Sequence, residues 1–173
     1  MEIVSDLIKI ILPAGLVLLG IYLTIEALMK KQLEKGWLEI RSKNTELILP
    51  IRLQAYERMT LFLERMAPQN LILRVNQPDI TADQLQAIML REIREEFNHN
   101  LSQQIYLSEV AWTLIRNAME DTLSLINTSA QQIEGNRPSV ELARQILRNQ
   151  MDKGRDPSAD ALSAMKSEVQ VYF

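Results

Sequence analysis

Residues 10–25 read IILPAGLVLLGIYLTI and carry no charge. The apolar character continues outward through Leu7 and Ile8 on one side, and through Ala27, Leu28 and Met29 on the other. A spanning helix needs about 20 mostly apolar residues. This stretch constrains the chain more than any other. It predicts a membrane anchor over residues 1–29, formed by Ile10, Ile11, Leu12, Leu16, Val17, Leu18, Leu19, Ile21, Leu23 and Ile25. Lys9 can snorkel to a headgroup region while its stem stays apolar. Two other readings compete. A cleaved signal peptide has a basic leading region and a small-residue cleavage site. Here Glu2 and Asp6 accompany a single Lys9, and no Ala-x-Ala site follows. A buried core helix would have to cover apolar surface around its whole circumference. The single span is the preferred expectation.

Nearby cations set the expected orientation. One, Lys9, precedes the apolar core; Lys30, Lys31, Lys35, Arg41 and Lys43 follow it. The positive-inside rule then puts the amino terminus outside and the rest of the chain in the cytoplasm. Lys30, Lys31 and Lys35 are also placed to meet anionic headgroups, so membrane lipid is an expected partner and an inner membrane the expected location.

The remainder, residues 30–173, holds 19 acids and 18 bases. A nucleic-acid-binding surface would be basic overall or in a stripe, so no nucleic-acid partner is expected. The chain has no cysteine, which excludes disulfides, thiolate metal sites and cysteine nucleophiles. Five glycines, few aromatic residues and an abundance of Leu, Ile, Ala, Glu, Gln, Arg and Met favour helices.

Apolar or central positions recur at Leu33, Trp37, Ile40, Asn44, Ile48, Ile51, Ala55, Met59, Phe62 and Met66. Their mean spacing, about 3.67, follows a straight helix better than a 3.5-residue coiled-coil seam. Pro50 suggests a break between Asn44 and Leu49, with Pro50 opening a new helix, where its missing N–H is harmless. The expected organisation is a juxtamembrane helix or stalk over 30–49, a helical bundle over 50–157, and a final helix with a loosely held tail over 158–173.

Within the bundle, residues 66–70 end a helix, and Leu71, Ile72, Leu73 and Val75 form a short apolar run, either helical or extended. Thr81 and Gln84 fit a capping box before a helix with Leu85, Ile88, Met89, Ile93 and Phe97 inward. Ser108 reads as the next N-cap, with Val110, Ala111, Leu114, Ile115, Ala118, Thr122, Leu125, Ile126 and Ile133 inward. Gly135 and Asn136 stop that helix. Ser139 starts another with Val140, Ala143, Ile146, Leu147 and Met151 inward, and residues 153–157 mark a further boundary. Between these helices, residues 101–107 are the least regular stretch.

Chemistry is weakly signalled. His99 is the only histidine, with Glu95 one helical turn before it; a metal site needs more ligands, and a polar helix end is the preferred reading. Glu92, Glu95 and Glu96 alternate with Arg91 and Arg94, a pattern that suits a solvated face better than an acid–base pair. No glycine-rich phosphate loop, serine elbow or zinc-protease motif is present. No catalytic, metal-binding or cofactor-binding residue is therefore assigned, and no cofactor is expected.

Residues 49–58 (LPIRLQAYER), residues 61–66 (LFLERM) and residues 100–106 (NLSQQIY) resemble an uncharacterised family of small single-span membrane proteins from Bacteroidota-type bacteria. The resemblance covers most of the chain and carries over no functional residue. It implies a bacterial inner-membrane location. It also draws attention to Leu101, Gln103, Gln104, Ile105 and Tyr106, because an irregular segment is a natural recognition surface.

The expectation is an all-α protein, with a single N-terminal transmembrane helix followed by a small cytoplasmic helical bundle. Its expected role is a non-catalytic, membrane-anchored adaptor or accessory subunit of an inner-membrane complex, partnered by other membrane proteins. The alternative is a self-assembling, membrane-tethered scaffold, a homo-oligomer packed along residues 33–66. A membrane-bound enzyme using Glu92, Glu95 and His99 is the third reading.

Overall fold

Leu and Ile, interspersed with Glu, Gln, Ala and Arg, dominate this chain, and the described backbone is helical almost throughout. The structure, a computed structural model, describes the backbone of residues 2–154 and 156–171. It describes the side chains of residues 15–32, 35, 46–152, 154 and 156–171. In chain order the elements are α1 (Glu2–Met66), α2 (Pro68–Val75), α3 (Ala82–Asn100), a 3-10 helix η1 (Leu101–Tyr106), α4 (Glu109–Ala130), α5 (Ser139–Lys153) and α6 (Ala159–Gln170). The chain divides into two units, Met1–Leu49 and Pro50–Phe173.

The first unit lies within α1. Its described apolar side chains are exposed, apart from a half-buried Leu49, and Glu26 pairs with Lys30 one turn on at 2.8 Å. Among the described residues no helix is long and apolar enough to cross a membrane. The uncharged run, residues 10–25, rises about 24 Å as a helix, short of a ~30 Å hydrocarbon layer. Glu26, Lys30 and Lys31 follow it directly. The expected transmembrane anchor, the single-pass topology and the inner-membrane location are corrected accordingly. Of the expected anchor residues, Leu16, Val17, Leu18, Leu19, Ile21, Leu23 and Ile25 are exposed on α1, while Ile10, Ile11 and Leu12 lie outside the described side chains.

The break expected before Pro50 is also absent: α1 continues through it to Met66. Proline removes one i→i−4 hydrogen bond, and the carbonyl left over belongs to Glu46. Glu46 is exposed, so water can take the place of the missing donor.

In the second unit the buried stripe of α1 starts at Ala55 and runs through Met59, Phe62 and Leu63 to Met66. Ile48 in the first unit and Ile51 in the second, placed on the same stripe by spacing, are about half exposed; Leu33, Trp37, Ile40 and Asn44 lie outside the described side chains. Pro68 opens α2, whose short apolar run is helical and buries Leu71, Ile72 and Val75. From α3 come Leu85, Met89 and Ile93; from α4, Ala111, Ile115, Ala118, Leu125 and Ile126; from α5, Leu142, Ala143 and Ile146. Phe97 of α3 joins the layers, lying 5.7 Å from the ring of Phe62 and stacked 5.4 Å from Trp112 of α4. Val110, Val140 and Met151, expected inward, are exposed. The buried row of α4 begins instead at Ala111, and a neighbour in sequence points about 100° away around a helix.

Local signals place the bundle's joints. The Thr81 hydroxyl accepts from Gln84 N, and the Gln84 side chain returns an acceptor to Thr81 N at 2.9 Å, completing the capping box. Backbone bonds then hold the start of α3 beside the start of α5: Ala82 N to Arg137 O at 2.8 Å and Ser139 N to Ile80 O at 3.0 Å. Gly135 lets Asp83 lie close here: a Cβ on it would fall 2.0 Å from the Asp83 carboxylate, and that exposed side chain would have to turn aside. Thr81→Ala is expected to lower unfolding stability by about 1 kcal/mol, because the N-cap acceptor is lost. Urea denaturation of the intact chain checks this, and an unchanged midpoint would show that solvent replaces the cap at no cost.

Candidate functional site

The five residues singled out between α3 and α4 lie, together with Ser102, in the 3-10 helix η1, about two turns long. Its side chains project outward: Ile105 is 74% exposed and Leu101 41%, Gln104 is exposed, and Gln103 and Tyr106 are half-buried. A 3-10 turn has poorer hydrogen-bond geometry than an α-helix, so such a segment depends on its flanks. At the upstream flank the buried Asn100 side chain donates to Glu96 O at 2.9 Å. At the downstream flank Arg52 of α1 donates through Nε to Tyr106 O at 3.1 Å.

Just beyond η1 stands a polar cluster that joins α1, α4 and α6. The Ser108 hydroxyl accepts from Ala111 N at 3.0 Å and caps α4. The same hydroxyl donates to Oε1 of Glu168 on α6. The other carboxylate oxygen of Glu168 accepts from the Tyr56 hydroxyl of α1 at 2.6 Å. Tyr56 is only 3% exposed. Burial pushes its hydroxyl up to about 12, the Glu168 hydrogen bond and charge add to the rise, and Arg52 opposes it. At neutral pH Tyr56 is therefore a donor and not a base. Ser108 gives its proton to Glu168 and its lone pair to α4. Each group is engaged in holding α1, α4 and α6 together, and the cluster works as a clasp beneath η1.

Other residues that the sequence raised are dispersed. Lys30 is paired with Glu26, and Lys31 and Lys35 are exposed on α1 in the first unit. Glu92 pairs with Arg74 at 2.8 Å and Glu96 with Arg65 at 3.3 Å, whereas Glu95 and His99 are exposed. Among the described residues no group of three or more His, Asp or Glu could hold a metal ion. The Tyr56–Glu168 pair was not legible in sequence. Its partners stand 112 residues apart, and Glu168 falls in the stretch expected to end loosely. The signal available was a lone tyrosine beside the buried Ala55 and Met59 positions.

No curated protein and no solved structure matches this chain. A family model, by contrast, covers nearly all of it. That match replaces the finer resemblance to single-span proteins of one bacterial group with a broader one, and it carries no statement about membranes or source. The chain belongs to the family of unknown function DUF7935, whose model matches residues 2–172.

Proposed function

We propose that this chain is a non-catalytic interaction protein, an adaptor or accessory subunit that docks onto another protein through η1. The observation that carries the reading is Ile105, a large apolar side chain 74% exposed on a short segment anchored at both flanks. An apolar anchor that is already ordered loses little conformational freedom on binding. Leu101 adds apolar area beside it, and Gln103 and Gln104 add donors and acceptors for a polar rim. The Bacteroidota-type source suggested by residues 49–58 and 100–106 stays part of this proposal and names the cells for its test.

The test is purification of the intact chain from such cells, native and with Ile105→Asp. The substitution is expected to cut recovery of a stoichiometric partner at least tenfold and to leave thermal unfolding unchanged. Equal recovery with both chains would sink the η1 surface as the docking site. A second reading, self-assembly, is favoured by one observation in the first unit. Ten large apolar residues between positions 16 and 29 are each 51–68% exposed, and contiguous apolar area of that size marks an interaction surface. Light scattering that returns a single-chain mass at every concentration would remove this reading.

A further inference from the structure

α6 is attached to the second unit in an uneven way. It packs on α4 and buries Ala161 and Met165, with Leu162 and Val169 partly covered. Towards α1 it leaves an open groove of about 380 Å³, lined by Leu53, Tyr56, Glu57, Thr60, Met165 and Val169. Beside that groove the two helices are joined by the Tyr56–Glu168 hydrogen bond. The connection from α5 passes through Gly154 in the left-handed conformation, φ 61°. It ends in a turn where the Asp156 carboxylate accepts from Ser158 N at 2.9 Å and from the Ser158 hydroxyl at 2.7 Å. A helix of 12 residues is marginal without tertiary support. Two fully buried side chains, one of them alanine, supply little of it. The carboxylate of Glu168, bonded to hydroxyls on two other elements, supplies a large share, because hydrogen bonds to a charged group are the strong ones.

We propose that α6 is a conformational latch closed by Glu168. It opens from α1 and α4 as a unit, while the core of α1, α3, α4 and α5 stays folded. Segments with few buried apolar contacts open separately from the core in this way. Opening withdraws Glu168 from Ser108, two residues beyond η1, and from Tyr56, one turn from the Arg52 that holds Tyr106 O. The latch therefore controls how firmly η1 is presented. That consequence rests on the proposed role of η1; the opening itself does not.

Hydrogen exchange of the intact chain, followed by mass spectrometry, tests the latch. In Glu168→Leu, amides of residues 159–170 are expected to exchange at least tenfold faster than in the native chain, with α3 and α5 within twofold. Tyr56→Phe removes one arm of the clasp and is expected to give a smaller rise in the same segment. Lys166→Gln, at an exposed position on the same helix, is expected to leave the rates unchanged. The proposal is overturned if α6 exchange is unaffected by Glu168→Leu. It is equally overturned if α3 and α5 accelerate along with α6, or if Lys166→Gln matches Glu168→Leu. Loss of partner recovery with unchanged α6 exchange would count against the latch and leave the η1 reading standing.

Discussion

Phe62→Ala is expected to lower the unfolding free energy of the intact chain by about 3–5 kcal/mol. Phe62 is fully buried, and its ring meets Phe97, which stacks on Trp112. Truncation removes an aromatic ring from the junction of α1, α3 and α4 and leaves a cavity that close-packed neighbours fill only in part. The adjacent Leu61 is 53% exposed. Leu61→Ala is the matched control and is expected to cost under ~1 kcal/mol, since little apolar area leaves the core. Urea denaturation of both variants decides the matter. Comparable losses at the two positions would mean that the aromatic junction does not organise the core.

Alkaline pH is expected to weaken the fold through Tyr56. Its folded-state pKa is raised to about 12 from an ordinary value of 10.0. Between those values the folded chain keeps the Tyr56 proton and the unfolded chain releases it. The folded state then binds more protons, so stability falls as pH rises from about 10 to about 12. A shift of this size corresponds to on the order of 2 kcal/mol. Lysines and the other tyrosines titrate in the same range, so the measurement is the difference between the native chain and Tyr56→Phe. The native chain should lose more stability than the variant across this window. Parallel curves would show that the phenol ionises in the folded protein as freely as in the unfolded one.

Phe62 and Phe97 were placed inward by helical spacing alone, and both meet in the core. The capping box at Thr81 and the cap at Ser108 were equally readable, because each is completed within one helical turn by neighbours in sequence. Pro50 misled: it signalled a helix start, but an exposed Glu46 lets α1 continue through it. The apolar run of residues 10–25 misled in another way. Its composition suggested a complete span, yet Glu26 ends the uncharged run, and among the described residues no helix meets the length and apolarity that crossing demands.

By itself, then, the sequence determined the helical class, the inward positions of the second unit apart from Val110, Val140 and Met151, and the caps that start α3 and α4. Each of these depends on residues a few positions apart, where the backbone geometry of a helix is already known. Tertiary structure alone decided that Ile105 stands exposed between two anchored flanks, and that Glu168 closes on Tyr56 and Ser108. Those pairings join residues 60 and 112 positions apart. They depend on how helices pack against one another, and neither spacing nor composition encodes which hydroxyls a distant carboxylate will reach.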